Sequence, residues 1–284
     1  MKPICCVICL FFISCTLQRA NRHSNAAQPN NVNYFTQKGN AKITGYYSGD
    51  GTQTADGLNL SAAYALTNKV AIMASYNYKK ENQIYGYYPL APINPSIPQY
   101  LASINLFDSS VINYKRQNIE FGIGYFIPLN KKKTVTYNIY GGMAFGNFVI
   151  DDRGLDSFAH NYFRNYTNAN TKYFLQGYFN FLAGETFKLS IGGKIYLMQY
   201  KQRSTNYTEQ ELNFFYLDKI QSNNLVYWEP YWAFQLAPAK WKVIKMDFQM
   251  SFLSGNPTNY PKIRGFNVSI GLTTDIHLLL KKKN

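Results

Sequence analysis

Phe266-Asn267-Val268-Ser269-Ile270-Gly271-Leu272-Thr273-Thr274-Asp275-Ile276-His277-Leu278 sets Phe266, Val268, Ile270, Leu272, Ile276 and Leu278 against Asn267, Ser269, Gly271, Thr273, Asp275 and His277. A strand sends successive side chains to opposite faces, so this stretch has one oily face and one polar face. The same two-residue rhythm recurs from about residue 41 onward, and short connections between the runs alternate with long ones. That combination is the pattern of a transmembrane β-barrel. The fold expected is all-β, an antiparallel up-and-down barrel of about ten strands.

The strands are expected near residues 40–48, 56–66, 70–80, 112–127, 134–150, 170–182, 187–202, 225–238, 242–254 and 264–279. Several exceed the roughly 9 to 11 residues that cross hydrocarbon, so their ends are expected to project beyond a bilayer. Tight turns fall at 67–69, 128–133, 183–186 and 238–241, and long connections at 49–56, 83–111, 151–169, 204–224 and 255–262. In outer-membrane barrels the short turns face the periplasm and the long loops face outward. By that rule both chain ends are expected on the periplasmic side.

A soluble barrel alternates too, so the decision rests on which face is wet. The polar parity is not rich in Lys and Glu but small or hydroxylic: Gly122, Gly124, Thr136, Asn138, Gly142, Ser190, Gly192, Ser269 and Gly271. Small residues suit a crowded lumen. Charged residues make up 15% of the 284, against roughly 25% in soluble chains. Aromatics reach 17%, with 25 Tyr, a residue that favours the two membrane interfaces.

The apolar run from Ile4 to Ile13 behind Lys2 is too short for a spanning helix and reads as the core of a signal peptide. Phe12-Ile13-Ser14-Cys15 resembles the cleavage box of bacterial lipoproteins, which implies a lipid on Cys15. All four cysteines lie in this leader, leaving an exported Cys15 with no disulfide partner. The polar stretch that follows reads as a flexible tether. The expected organisation is a signal peptide at 1–14, a lipidated N-terminus and tether at 15–38, the barrel at 39–280 and a basic tail at 281–284.

Asn33 to Gly39, then Gly57 to Thr67, then Val70 to Ser75, resemble the opening of small outer-membrane β-barrel lipoproteins of Bacteroidota. The resemblance covers the first quarter of the chain and implies no particular activity. Surface-exported lipoproteins of that group carry acidic residues after the lipidated Cys. None stands close to Cys15 here, which implies an anchor on the periplasmic side. One departure is the C-terminus: barrels of this kind commonly finish on an aromatic, whereas this chain finishes Leu278-Leu279-Leu280 and then lysines.

The net charge of +14 collects at expected inner turns and the tail, in Lys131, Lys132, Lys133, Lys281, Lys282 and Lys283. These read as inner-leaflet contacts, or equally as solubilising turn residues. They form no aromatic-interleaved groove, so nucleic acid is not expected as a partner. Outer-membrane lipids are.

Glu120, Lys188, Lys194, Glu229, Lys245, Asp247 and Asp275 have lumenal parity and are expected to form a charge network, since an isolated buried ion is costly. About ten strands is well short of the 16 to 18 of an open porin. The longest outer loop carries Tyr85, Tyr87, Tyr88 and Tyr100 among four prolines, either a binding surface for glycan, protein or lipopolysaccharide or a lid over the mouth. No catalytic set, cofactor or metal site is expected. Asp275 and His277 have the spacing of the omptin protease pair, but their acidic counterpart Asp151-Asp152 belongs at the opposite end of the barrel. His23 and His160 are isolated. The function expected is a non-enzymatic surface-binding or envelope-structural role. A narrow selective channel for a small solute is the alternative, followed by an enzyme acting on lipid or peptide.

Overall fold

The computed structural model describes residues 22–49, 55–85, 109–155, 160–184, 186–220, 224–238, 243–255, 262–276 and 278. Its elements in chain order are β1 (His23–Ala26), β2 (Ala41–Gly49), β3 (Ala55–Ala65), β4 (Val70–Tyr85), β5 (Ser109–Pro128), β6 (Val135–Leu155), β7 (Asn161–Ala183) and β8 (Phe187–Thr205). A short helix α1 (Glu209–Phe214) follows, then β9 (Leu225–Leu236), β10 (Ile244–Phe252), β11 (Lys262–Arg264) and β12 (Phe266–Asp275).

Ten of these strands close into an antiparallel barrel, β2 to β10 in sequence and then β12, which pairs with β10 on one side and β2 on the other. Closure leaves no strand edge, so every spanning strand meets backbone partners on both sides, as hydrocarbon requires. Turns of a few residues join β3 to β4, β5 to β6, β7 to β8 and β9 to β10 at one end. At the other end the β4–β5, β8–β9 and β10–β12 connections are long, whereas β2–β3 and β6–β7 are joined by only five residues each, because strands occupy part of the connections expected at 49–56 and 151–169.

The parity of each strand comes out as its sequence dictates. In β3 the inward positions Gly57, Asn59, Ser61 and Ala63 are covered, and Leu58, Leu60 and Tyr64 lie outside. In β12, Asn267, Ser269, Gly271 and Thr273 are buried, while Ile270 and Leu272 remain 59% and 56% exposed. Around the outside run Ile72, Ile119, Phe121, Ile123, Phe145, Leu175, Ile195, Trp228 and Trp232. An apolar exterior around a polar interior is the inverse of a soluble barrel and suits lipid tails.

Tyrosine is distributed differently from expectation. Tyr47, Tyr64, Tyr125 and Tyr173 do face outward, but Tyr114, Tyr140, Tyr166, Tyr178, Tyr196, Tyr227 and Tyr231 are buried inside. They sit mainly on β6 to β9, with stacked pairs Tyr140–Tyr178 at 6.2 Å and Tyr196–Tyr227 at 5.2 Å. Much of the aromatic content therefore lines the lumen, where each ring offers bulk and each hydroxyl a polar contact.

The second difference concerns the N-terminal segment. The sequence reads 15–38 as a flexible tether beneath the barrel, yet residues 22–35 are nearly all buried. They run lengthwise through the lumen. At Gly39, with φ +82°, the chain turns out of the lumen and into β2, a backbone conformation that glycine adopts without Cβ strain. Its N–H bonds to Ala65 O at 2.9 Å at the short-turn end. The opposite end of the segment, at Arg22, lies among residues of the long-loop end. β12 ends on the short-turn side, whereas the segment meets the long-loop end at Arg22; the chain ends themselves lie outside the described residues. Two strands absent from the sequence reading, β1 and β11, pair in parallel inside the mouth, with His23 opposite Lys262 and Ala26 opposite Arg264.

Across the β5–β6 pairing Gly122 faces Gly142. A Cβ on Gly142 would lie 2.0 Å from Phe121 O and 2.7 Å from Phe174 Cζ. Outward-facing Gly141 has nothing nearer than 3.9 Å. We expect Gly142→Leu to abolish most of the compact, heat-modifiable species on unboiled gels and Gly141→Ala to leave it intact. Equal yields from the two variants would contradict the packing.

Candidate functional site

The candidate site is the lumen, built from two sources: the inward parity of the ten wall strands and the segment that occupies them. Beyond β1, which pairs with β11, the segment is extended and outside any sheet, so its peptide groups need partners from wall side chains. Amides supply most of them. Gln249 takes Asn30 N–H on Oε1 at 2.5 Å and gives Nε2–H to Asn30 O at 3.1 Å, imitating a neighbouring strand with one side chain. Gln176 Nε2 donates to Asn31 O at 3.0 Å. Tyr178 OH accepts from Asn33 N at 2.8 Å and lies 3.1 Å from Asn33 O, to which Asn180 also donates at 3.0 Å. Gln28 N–H donates to Glu229 Oε1 at 3.0 Å.

Apolar contact closes the lower end. Phe35, fully buried, packs against Phe126 with centroids 5.6 Å apart. Tyr34 OH then donates to Lys133 O, and Lys38 N–H donates to Asn68 Oδ1 at 2.8 Å, so the segment is tied to two short turns.

The seven charges assigned to the lumen by parity all face inward, in two groups. Midway, Glu120 of β5 bonds Lys172 of β7 and Lys194 of β8, the latter at 2.7 Å, while Glu229 holds Gln28. Toward the short turns, Asp275 pairs with Lys245 at 2.7 Å and Lys42 at 3.7 Å, and Asp247 accepts from Gln235 Nε2 at 2.9 Å. Lys188 is buried beside them, and its Nζ has no hydrogen-bond partner among the described residues.

Sequence reasoning missed Lys42, Arg116 and Lys172, although each has inward parity in a strand it had placed. It could not have found Glu81, one residue past the expected strand, which pairs with Arg116 at 2.9 Å. Nor could it find the cluster at the mouth. There Arg22 bonds Asp152 and lies 4.0 Å over the Phe215 ring. Tyr207 OH donates to Asp152 Oδ2 at 3.1 Å, and Arg164 bridges Asp152 to Glu211 at 3.7 and 2.6 Å. Burial pushes the Tyr207 hydroxyl above the ordinary tyrosine range, which keeps it a neutral donor. Glu211 also completes the Thr208 capping box of α1, so helix and mouth share one carboxylate.

The acids weighed as a protease pair stand apart. Asp275 lies at the short-turn end, and Asp152 is held by Arg22 at the other; His277 lies outside the described residues. Cys15, Tyr87, Tyr88, Tyr100, Lys281, Lys282 and Lys283 also lie outside them, as does the Tyr85 side chain. Lys131, Lys132 and Lys133 are exposed on the β5–β6 turn. Among the described residues no cluster of His, Cys, Asp or Glu could hold a metal.

A lumenal cavity of about 20 Å³, bordered by Asn25, Gln28, Arg116 and Tyr200, has room for a water molecule and little else. A much larger groove, about 750 Å³, lies on the outer wall between Tyr64, Ile72, Phe121 and Met143.

No family model and no curated protein matches the chain. Among solved structures it is similar to the β-domain of the Bordetella autotransporter BrkA, at 10% identity and TM-score 0.42, over 84% of this chain and 99% of that one. It is similar to a major outer-membrane protein of Thermus thermophilus, at 10% identity and TM-score 0.35, over 83% and 98%. A KdgM porin in complex with disordered oligogalacturonate matches at 9% identity and TM-score 0.33, over 82% and 98%. The resemblance is remote, and the closed ten-strand barrel with its apolar exterior rests on this chain's own strand pairing and parity.

Glu120 is buried between two lysines. Glu120→Gln removes the carboxylate that both lysines bridge to, and removing one partner of a buried pair costs about 3 kcal/mol or more. We expect a clear drop in the urea midpoint of the folded barrel, with much of it restored in the Glu120→Gln, Lys194→Met double variant. An unchanged midpoint in the single variant would contradict the pairing.

Proposed function

We propose that this protein is a plugged outer-membrane barrel whose work is done at its loop face, in surface binding or envelope structure, and not by enzymatic turnover or passage through its lumen. The observation that carries this reading is the occupied interior. Residues 22–35 fill the space that ten strands enclose, with peptide groups bonded to the wall. Ion pairs crossing from β5 to β7 and β8 take up space beside them.

In this proposal the short turns face the periplasm and the long loops face outward, following the general asymmetry of such barrels. Cys15 carries a lipid. The tyrosine- and proline-bearing connection at 86–108 supplies the contact surface, for which glycan, protein and lipopolysaccharide are the ligand classes to try. Exposed Lys131, Lys132 and Lys133 attract anionic headgroups of the inner leaflet, each contributing about 1 kcal/mol near the surface.

Planar-bilayer recording tests the plug. The wild-type barrel is expected to be silent, and a variant whose residues 24–35 are replaced by a Gly/Ser linker of equal length is expected to give resolved single-channel steps. Steady, solute-selective conductance from the wild type would overturn the proposal in favour of a narrow channel.

A further inference from the structure

We infer that the N-terminal end of the mature chain emerges from the barrel on the same face as the long loops, so that a lipid on Cys15 anchors in the leaflet around that mouth and not in the leaflet at the short turns. This rests on the proposed orientation and lipidation for its biological sense, but the shared face follows from the threading alone.

The path of the segment is ordered along the lumen. Tyr34 and Lys38 touch the turns at Lys133 and Asn68. Asn33 meets Tyr178, five residues up β7 from its short-turn end, and Ala27 O accepts from Lys79 Nζ at 3.3 Å, nine residues up β4. Asn25 Nδ2 donates to Tyr196 OH at 2.9 Å, nine residues up β8. Arg22 reaches Asp152, three residues from the loop end of β6, and Phe215, which lies in the connection beyond β8. The partners thus run from the short turns at Lys38 and Tyr34, through the middle of the wall at Ala27 and Asn25, to the loop end at Arg22.

The wall cannot be crossed on the way. Every neighbouring pair of the ten strands is hydrogen-bonded, including the β2–β12 seam, where eight residue pairs run from Lys42–Asp275 to Gly49–Val268. The chain before Arg22 has the loop-side mouth as its exit. Cys15 precedes Arg22 by seven residues, which span at most about 25 Å fully extended. The hydrocarbon core alone is about 30 Å thick. An acyl group on Cys15 therefore cannot reach the short-turn leaflet, even if the chain doubled back along the outer wall.

The test inserts one short epitope at a time into the full-length chain: between Arg19 and Ala20, within the β6–β7 loop at 156–159, or in the turn between Lys131 and Lys132. Antibody binding is scored on intact and permeabilised cells. We expect the first two tags to be exposed together on intact cells and the turn tag only after permeabilisation. If the Arg19 tag follows the turn tag while the loop tag is exposed, the inference is overturned. If the first two tags are hidden and the turn tag exposed, the shared face stands and the assigned orientation fails. Should a tag prevent folding, Asn21→Cys probed with a membrane-impermeant maleimide on intact cells reads the same topology. Fatty-acid labelling that disappears in Cys15→Ala reports the anchor separately, and an unlabelled wild-type chain would overturn that part.

Discussion

Hydrocarbon offers no hydrogen bonds, and that single constraint organises the molecule twice. It first forces the backbone into a closed ladder, because any free strand edge in the bilayer would leave peptide groups unsatisfied. Closure of ten strands then creates an interior too wide for wall side chains alone to fill and too polar to stay empty. The second consequence is the plug. Beyond its short pairing with β11 the extended segment has no strand beside it, so its peptide groups turn to side chains, and Gln249, Gln176, Tyr178, Asn180 and Glu229 are placed to supply those contacts.

The lumen is asymmetric for the same reason. Its tyrosines stand largely on β6 to β9, and the Ser, Asn and Gly positions of β2, β3 and β12 lie opposite, which gives the segment a lane bounded by rings on one side and small polar residues on the other. Charges are fixed by crossing pairs rather than by solvent. Lys172 and Lys194 reach Glu120 from β7 and β8, while at the mouth Asp152 gathers Arg22, Arg164 and Tyr207. Breaking a single partner in such a network leaves a charge with nowhere to go, so these residues bear on stability far more than their number suggests.

The wall was legible because period-two alternation is a local property. Phe266 to Asp275 carries its own parity, and the small residues Gly122, Gly142 and Ser190 on the polar side reveal that this side is enclosed. The plug was not legible, because Asn25, Asn30, Asn31 and Asn33 are polar, aperiodic and indistinguishable by composition from a solvated tether. Their partners come from strands up to 219 residues away, as between Asn30 and Gln249. The tyrosines misled in the same way: a ring with a hydroxyl suits both a membrane interface and a lumen, and only the register separates the two. Likewise, inward parity exposed Glu120 and Asp275, whereas Arg22 and Asp152 lay beyond the strands that the pattern could delimit.

Amide hydrogen exchange along residues 22–40 in the folded, membrane-embedded barrel tests the central claim most directly. The account predicts that the N–H groups of Gln28, Asn30 and Asn33 exchange as slowly as those of the surrounding strands, because Glu229, Gln249 and Tyr178 hold them out of water. Exchange at the rate of an unstructured peptide, with the wall strands still protected, would contradict it.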